Sequence, residues 1–143
     1  MQSENTPASG DRSAAHRSYP LGVSIVVDSE APAADRYQFV APEHVGRSWP
    51  TAMPAELYAD VYFDTNGFVE AETGSRGVPP EVIQAGRDTL AAYFLTHEAL
   101  DRNWVASYFG KSPEAIDRYI EAVQQRATEI RTRIETHGAS QTE

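Results

Sequence analysis

The clearest alternation of apolar and polar residues lies in residues 56–73, ELYADVYFDTNGFVEAET. Every second residue from Leu57 to Phe63 is apolar or small, which is the period of a half-buried strand. Asn66 and Gly67 follow, a pair that is common in the turns of β-hairpins. A three-residue loop keeps the apolar side chains of both strands on one face, so the pattern predicts a hairpin with that register.

Two shorter strands are predicted before this hairpin. Residues 36–40, RYQFV, form one of them, and residues 21–28, LGVSIVVD, form the other. The second of these segments places four apolar side chains on one face: Leu21, Val23, Ile25 and Val27. Residues 1–18 are polar and lack a periodic apolar face, so we expect a disordered tail. Residues 41–55 contain three prolines and a glycine, which predicts a long irregular connection.

Apolar residues recur at the helical period after residue 77. The pattern predicts three helices, at about 80–98, 102–109 and 113–136. Gly86 falls inside the first, where it costs about 1 kcal/mol relative to Ala and would mark a close crossing. The third helix is longer than a small trihelical core requires. Its apolar stripe continues through Ile130 and Ile134, which would have to bury against the β region or a second copy of the chain.

The segment DRNWVASYFGKSPEAIDRYIEAV, residues 101–123, contains the start and stop signals of two consecutive helices. Asp101 is a suitable N-cap, because its carboxylate can accept a hydrogen bond from an N–H group of the opening turn. Gly110 ends that helix, since a residue without Cβ adopts the left-handed conformation cheaply. Ser112 caps the second helix, and Pro113 occupies its first position, where no N–H is needed. The sequence therefore predicts a helical hairpin with a tight turn.

This hairpin resembles the helix-turn-helix superfamily of DNA-binding domains over about 20 residues. The shared pattern is a small residue, Ala106, four positions before the turn glycine Gly110, and an aliphatic residue, Ile116, six positions after it. In that superfamily the small residue lets the two helices cross closely, and the aliphatic residues hold the second helix on the core. The resemblance implies a trihelical unit whose last helix reads DNA.

The resemblance also implies which side chains contact DNA. Arg118 would read guanine through two hydrogen bonds, and Glu114 lies on the same groove-facing side of the helix. The remaining contacts, mainly to backbone phosphates, would come from Arg102, Asn103, Lys111, Ser112 and Arg126. Two copies would be needed for a two-fold symmetric site, which agrees with burial of Ile130 and Ile134 in a homodimer.

Charge composition changes the expected source of the protein. Lys and Arg total 12, of which one is Lys, whereas Asp and Glu total 21, for a net charge of -9. An acidic, lysine-poor chain without Cys resembles proteins of salt-in halophilic archaea, with a GC-rich bacterium as the alternative. In molar salt, charges are screened over about 3 Å, so the negative total does not exclude nucleic acid as a partner. Residues 101–143 are close to neutral, which favours the C-terminal half as the DNA-facing part.

Three carboxylates weigh against DNA. Glu114, Asp117 and Glu121 lie on the helix face that would approach the phosphates. They favour an alternative in which the hairpin binds protein, as an assembly component of a virus or plasmid. The sequence thus predicts a small homodimeric, cytoplasmic DNA-binding regulator from a halophilic archaeon, its virus or its plasmid, with the assembly role as the second hypothesis.

Signatures of catalysis are weak. His97, Glu98 and Asp101 form HExxD, which departs from the zincin HExxH pattern and lacks an obvious third ligand. The predicted hairpin has an acidic face that could hold a hard cation or simply face solvent: Asp60, Asp64, Glu70 and Glu72. Cysteine is absent, which excludes disulfides and thiol catalysis. We expect a non-enzymatic protein with no metal, no cofactor and no membrane span.

These patterns together predict an α+β fold. A small antiparallel β-sheet in the N-terminal half is followed by a trihelical helix-turn-helix unit with a long C-terminal helix. The expected boundaries are a disordered tail at 1–18, a β region at 19–76, a helical region at 77–137 and a second tail at 138–143.

Overall fold

A computed structural model describes residues 13–28, 36–42, 44–68 and 78–141. The chain divides into two compact units, Met1–Ala55 and Glu56–Glu143. An antiparallel sheet lies in the N-terminal half and helices follow it, so the predicted α+β fold with a long C-terminal helix is confirmed. No helix in these residues is long and apolar enough to cross a membrane.

The first unit contains a four-stranded antiparallel sheet in which each strand pairs with the next along the chain. Its strands are β1 (Ser13–Ser18), β2 (Ser24–Asp28), β3 (Arg36–Ala41) and β4 (His44–Trp49). Ile25 of β2 lies directly opposite Phe39 of β3, and both side chains are fully buried. Trp49 of β4 is buried as well. Strands β2, β3 and β4 therefore supply the apolar face of this sheet.

Three predictions in this unit are wrong in detail. Residues 13–18, predicted as tail, form β1, and residues 1–12 lie outside the described part of the chain. Strand β1 is an edge strand whose residues 15–18 are exposed, so it carries no apolar alternation. Strand β4 replaces much of the predicted irregular connection. Leu21 lies exposed in the turn before β2, whereas Val23 and Ile25 are buried as predicted.

The predicted hairpin at 56–73 is wrong, because its first strand is part of helix α1, Ala52–Asp64. The helix ends with Asn66 in the left-handed conformation at φ 62°. Gly67 N–H donates to Tyr62 O at 2.7 Å, and Asn66 N–H donates to Phe63 O at 3.0 Å. These two bonds form a Schellman motif, so the Asn-Gly pair ends a helix instead of turning a hairpin. Residues 69–73, the rest of the predicted second strand, lie outside the described residues.

The single helix predicted at 80–98 is two helices, α2 (Pro80–Ala85) and α3 (Arg87–Leu95). Gly86 separates them with φ 125° and ψ 176°, a conformation that is accessible essentially to glycine alone. Its carbonyl accepts the N–H of Leu90 at 3.0 Å and so opens α3. Gly86 therefore breaks the helix, where the sequence had suggested an uninterrupted helix with a close crossing.

The last two helices agree with the prediction. Helix α4 is Arg102–Phe109 and helix α5 is Pro113–Gln141, so α5 continues through most of the predicted tail at 138–143. Helices α3, α4 and α5 pack on one another. Their buried centre consists of Ala91, Val105, Ala106 and Ile116, surrounded by Phe94, Leu95, Phe109, Tyr119 and Ile120. The helical region thus contains a trihelical core.

Candidate nucleic-acid interface

The α4–α5 turn is built by the caps that the sequence predicts. Asp101 Oδ1 accepts a hydrogen bond from Trp104 N–H at 2.8 Å and caps α4. Gly110 follows α4 with φ 66° and ψ 36°, and Lys111 N–H donates to Ala106 O at 2.9 Å. Ser112 Oγ then accepts from Ala115 N–H at 3.2 Å and caps α5. Each end of the turn is therefore satisfied locally, and the hairpin is fixed by its own sequence.

The crossing of the two helices involves the small residue identified from the sequence. Ala106 of α4 is buried in the same cluster as Ile116 of α5 and Ala91 of α3. A side chain of one carbon at Ala106 lets the neighbouring helix approach, because a longer side chain there would have to be accommodated in a packed core. The three elements of the motif, Ala106, Gly110 and Ile116, thus lie where the predicted hairpin requires them.

Arg102 is committed to an ion pair across the hairpin. Its Nε donates to Asp117 Oδ1 at 2.8 Å, and its Nη2 donates to Asp117 Oδ2 at 2.7 Å. Mutual hydrogen bonding is the main cause of a raised pKa for Arg102 and a lowered pKa for Asp117. Both side chains are about half exposed. The pair neutralises Asp117, one of the three carboxylates that argue against DNA as the ligand. It also neutralises Arg102, one of the cations predicted to contact DNA.

Arg126, predicted to contact a phosphate, forms ion pairs inside the helical unit. Its Nε and Nη2 each donate to the Asp64 carboxylate at 2.8 Å, and its Nη1 donates to Asp88 at 2.9 Å. Thr89 Oγ1 donates to Asp64 at 2.7 Å and is 3.2 Å from Nη2. The Asp64 and Asp88 bonds raise the pKa of Arg126. We call this group, Asp64, Asp88, Thr89 and Arg126, the arginine clamp.

The other predicted DNA contacts lie on the surface of the hairpin. Asn103, Lys111, Glu114 and Arg118 are exposed, and so is the capping residue Ser112. Within the described residues, Lys111 and Arg118 form no ion pair, in contrast to Arg102 and Arg126. The positive charge available to a ligand of the hairpin therefore comes from Lys111 and Arg118.

The predicted dimer residues Ile130 and Ile134 are partly buried within the single chain. Between them in the sequence, Arg131 is buried: its Nη1 lies 2.9 Å from Asp60 Oδ1, and its guanidinium lies 5.2 Å from the Phe63 ring centroid. Arg131 thus links the far half of α5 to helix α1. The acidic face predicted for the hairpin is wrong, because Asp60 and Asp64 bind arginines. Glu70 and Glu72 lie outside the described residues.

The HExxD segment does not gather metal ligands. Asp101 caps α4, and His97 Nδ1 lies 3.2 Å from Tyr93 O. Across the described ranges, no group of three or more His, Asp or Glu side chains is arranged to hold a metal ion.

Sequence reasoning missed an exposed aromatic pair on α4. Trp104 is 42% exposed and Tyr108 is 57% exposed. Their rings stack with centroids 5.3 Å apart and an interplanar angle of 17°. Phe94 of α3 meets both rings edge-on, at 5.5 Å and 5.1 Å. The available signal was their spacing of four residues, which places two aromatic side chains together beside the buried stripe of α4.

Comparisons with protein-family models, with curated protein sequences and with solved structures find no match to this chain.

Proposed function

We propose that the chain is a DNA-binding protein in which the α4–α5 hairpin docks on duplex DNA, with the first half of α5 in the major groove. The observation that carries the proposal is the α4–α5 turn, with its capped ends and Ala106 at the crossing, packed on α3 as a trihelical core. This arrangement is the one in which the last helix of a helix-turn-helix unit presents its N-terminal turns to base edges.

Lys111 and Arg118 supply the positive charge in this proposal. Both are exposed and form no ion pair within the described residues. In this proposal Arg118, in the first two turns of α5, contacts a base edge or a phosphate, and Lys111 in the turn contacts a phosphate. Asn103 and Ser112 add neutral donors at the start of each helix. A regulator with two-fold symmetric half-sites would use two copies, with the N-terminal turns of the two α5 helices about 34 Å apart.

The net charge decides the conditions of the assay. A chain with a net charge of -9 is repelled by DNA at low salt. Two cations that contact phosphates release few counterions and so contribute little to the binding free energy. The lysine-poor, acidic composition also agrees with an organism that accumulates salt. Binding should therefore be followed from about 0.1 to 2 M KCl.

The test is binding of the full chain to random-sequence duplex DNA, followed by sequencing of the bound pool and fluorescence anisotropy on the enriched duplex. We expect an enriched motif. We expect Lys111→Ala with Arg118→Ala to weaken binding and to reduce the slope of log K against log salt by about 2, since each lost phosphate contact removes about 0.9. Arg133→Ala is the matched control, because it removes an exposed charge from α5 outside the hairpin. Equal affinity in the double variant and the wild type would refute the proposal.

A second candidate function is assembly with another protein through the hairpin. The exposed carboxylates Glu114 and Glu121 favour it, because they leave the groove-facing side without a net positive charge. In this case the wild type would bind no duplex at any salt concentration. A photo-crosslinking residue at position 121 would then join the chain to a single protein partner, and Arg118→Ala would reduce the yield of that product.

A further inference from the structure

A symmetric series of exposed residues runs along α4 and includes one flanking residue near each end. We call it the α4 strip, and it consists of Asp101, Trp104, Tyr108 and Lys111. Ala106 is its midpoint: the two aromatic residues lie two positions on either side, and the two charged residues lie five positions on either side. All four are exposed. The strip therefore has a negative charge at one end, a positive charge at the other and two aromatic rings between them.

The two aromatic rings of the strip pack on each other and on α3 within the single chain. Trp104 and Tyr108 stack on each other, and Phe94 supports both rings edge-on from α3. Aromatic side chains held in this way lose little rotamer freedom on association, and they present a large apolar area with a polar atom at one end. Exposed Trp and Tyr residues that are already ordered are typical anchors of protein interfaces.

The charged ends of the strip have no partner for their charge within the described chain. Asp101 Oδ1 accepts the backbone N–H of Trp104, and that is a neutral donor. Lys111 forms no ion pair in the described residues. Asp101 precedes α4 and Lys111 follows the left-handed Gly110 at its end, so the whole helix lies between the two charges, and the two residues form no ion pair with each other. Each end is therefore available to a charge of opposite sign from outside.

We infer that the α4 strip is a self-association surface that takes a second copy of this chain. An isologous interface must be self-complementary under a two-fold rotation, which reverses the helix direction. With the axis passing at the level of Ala106, Trp104 faces the second copy's Tyr108, and Asp101 faces the second copy's Lys111. Both pairings occur twice. The same rotation applied to a strip with like charges at its ends would place like charges opposite each other.

Dimerisation through the α4 strip does not require DNA, although it uses Lys111, which the proposed function assigns to a phosphate. It moves the homodimer contact from Ile130 and Ile134 to α4. The contact is small, with four side chains from each copy. We expect a reversible dimer with a dissociation constant on the order of 10 to 100 µM, as for other interfaces below the standard size.

Sedimentation equilibrium of the full chain, from about 1 to 500 µM protein so as to bracket that constant, tests the inference. The monomer mass is 15.7 kDa. We expect a monomer–dimer equilibrium in the wild type. Trp104→Ala with Tyr108→Ala should raise the dissociation constant at least tenfold. Ile83→Ala is the matched control, because Ile83 is 57% exposed on α2, and it should leave the constant unchanged. Circular dichroism before each run checks that the variants are folded.

A charge pair of variants tests the antiparallel arrangement. Lys111→Glu places two carboxylates opposite each other and should weaken the dimer. Adding Asp101→Asn removes one of them while keeping the α4 cap, since Asn caps as well as Asp. The double variant should therefore dimerise more tightly than Lys111→Glu alone. Arg118→Ala should not affect dimerisation, which separates this result from any loss of DNA binding.

Two results would overturn the inference. One is a wild-type chain that remains at monomer mass throughout the concentration range, which would leave the strip to a different partner. The other is a dimer that is unchanged by Trp104→Ala with Tyr108→Ala, which would place the contact elsewhere on the chain.

Discussion

Replacing Arg126 by Met should destabilise the helical unit far more than the loss of an exposed charge would. The substitution keeps an unbranched side chain of similar length and removes the guanidinium. Four contacts are lost, two to Asp64, one to Asp88 and one to Thr89. Because the Asp64 side chain is only 4% exposed, its carboxylate is left buried with only the Thr89 hydroxyl as donor.

The expected loss follows from that burial. Removing one partner of a buried ion pair costs about 3–5 kcal/mol, whereas an exposed pair contributes about 0.2–1 kcal/mol. Arg126 itself is 41% exposed, which screens part of the interaction. The lower end of the buried range applies, so we expect the free energy of unfolding to fall by about 3 kcal/mol.

Urea denaturation, followed by far-ultraviolet circular dichroism, measures this loss. Urea is uncharged and leaves the ion pairs unscreened. The matched control is Arg133→Met, an exposed arginine on the same helix, which should change stability by less than about 0.5 kcal/mol. A double-mutant cycle with Asp64→Asn should give a coupling of about 1–3 kcal/mol. If Arg126→Met loses less than about 1 kcal/mol, the clamp behaves as a surface pair and the reasoning fails.

Three further predictions concern the hairpin. Gly110→Ala should lower the free energy of unfolding, measured by urea denaturation, by about 1–2 kcal/mol, because φ is 66° at this position. No atom lies within 4 Å of the added Cβ, so the loss would come from backbone strain alone. An unchanged free energy of unfolding would contradict this argument. Asp101→Ala removes the α4 cap and should lower the free energy of unfolding by about 1 kcal/mol, whereas Asp101→Asn should lower it much less. Equal losses in the two variants would exclude a capping role. The pKa of Asp117, followed by carboxyl NMR shifts, should lie below its ordinary value and return towards it in Arg102→Ala, since the Arg102 hydrogen bond is its main cause. Because the folded-state pKa of Asp117 is lowered, the pair stabilises the fold at pH values above the ordinary Asp pKa. This stabilisation is lost as the pH falls through the folded-state pKa. An Asp117 with an ordinary pKa would contradict the ion pair.

The sequence was a reliable guide to the hairpin because its signals are local. A cap needs a side chain and an N–H group three residues apart, as Asp101 and Ser112 show. The left-handed turn at Gly110 depends on one residue lacking Cβ. None of these requires knowledge of what lies elsewhere in the chain, so the bounds of α4 and the start of α5 were predicted correctly.

Helix α1 was mistaken for a strand because it is buried on most sides. Ala55, Tyr58, Ala59, Val61 and Phe63 are all buried. A helix with apolar residues around most of its circumference contains alternating positions by chance, and periodicity then cannot separate the two states. The Asn-Gly pair did not decide between them, because a residue in the left-handed conformation is needed both at the end of a helix and in a hairpin turn.

The carboxylate partners of Arg126 were missed because α1 was predicted as a strand. These partners are Asp64, at the end of α1, and Asp88, at the start of α3. Once residues 56–73 were assigned to a hairpin, Asp64 was placed on a solvent-facing strand, and no local pattern linked it to α5. Strand β1 was missed for a different reason, since an exposed edge strand needs no apolar face.

The arginines of α5 also bear on how long a folded molecule survives. Arg126 reaches Asp64 across 62 residues, and Arg131 reaches Asp60 across 71 residues, whereas the core of α3, α4 and α5 lies within residues 91–120. Contacts between distant residues require closure of a long loop, so the compact three-helix core is expected to form first and α1 to dock afterwards. Interactions that form after the transition state slow unfolding and have little effect on the folding rate. The two arginines would therefore govern the lifetime of the native state, while the short-range caps and the alanine crossing govern how quickly it is reached.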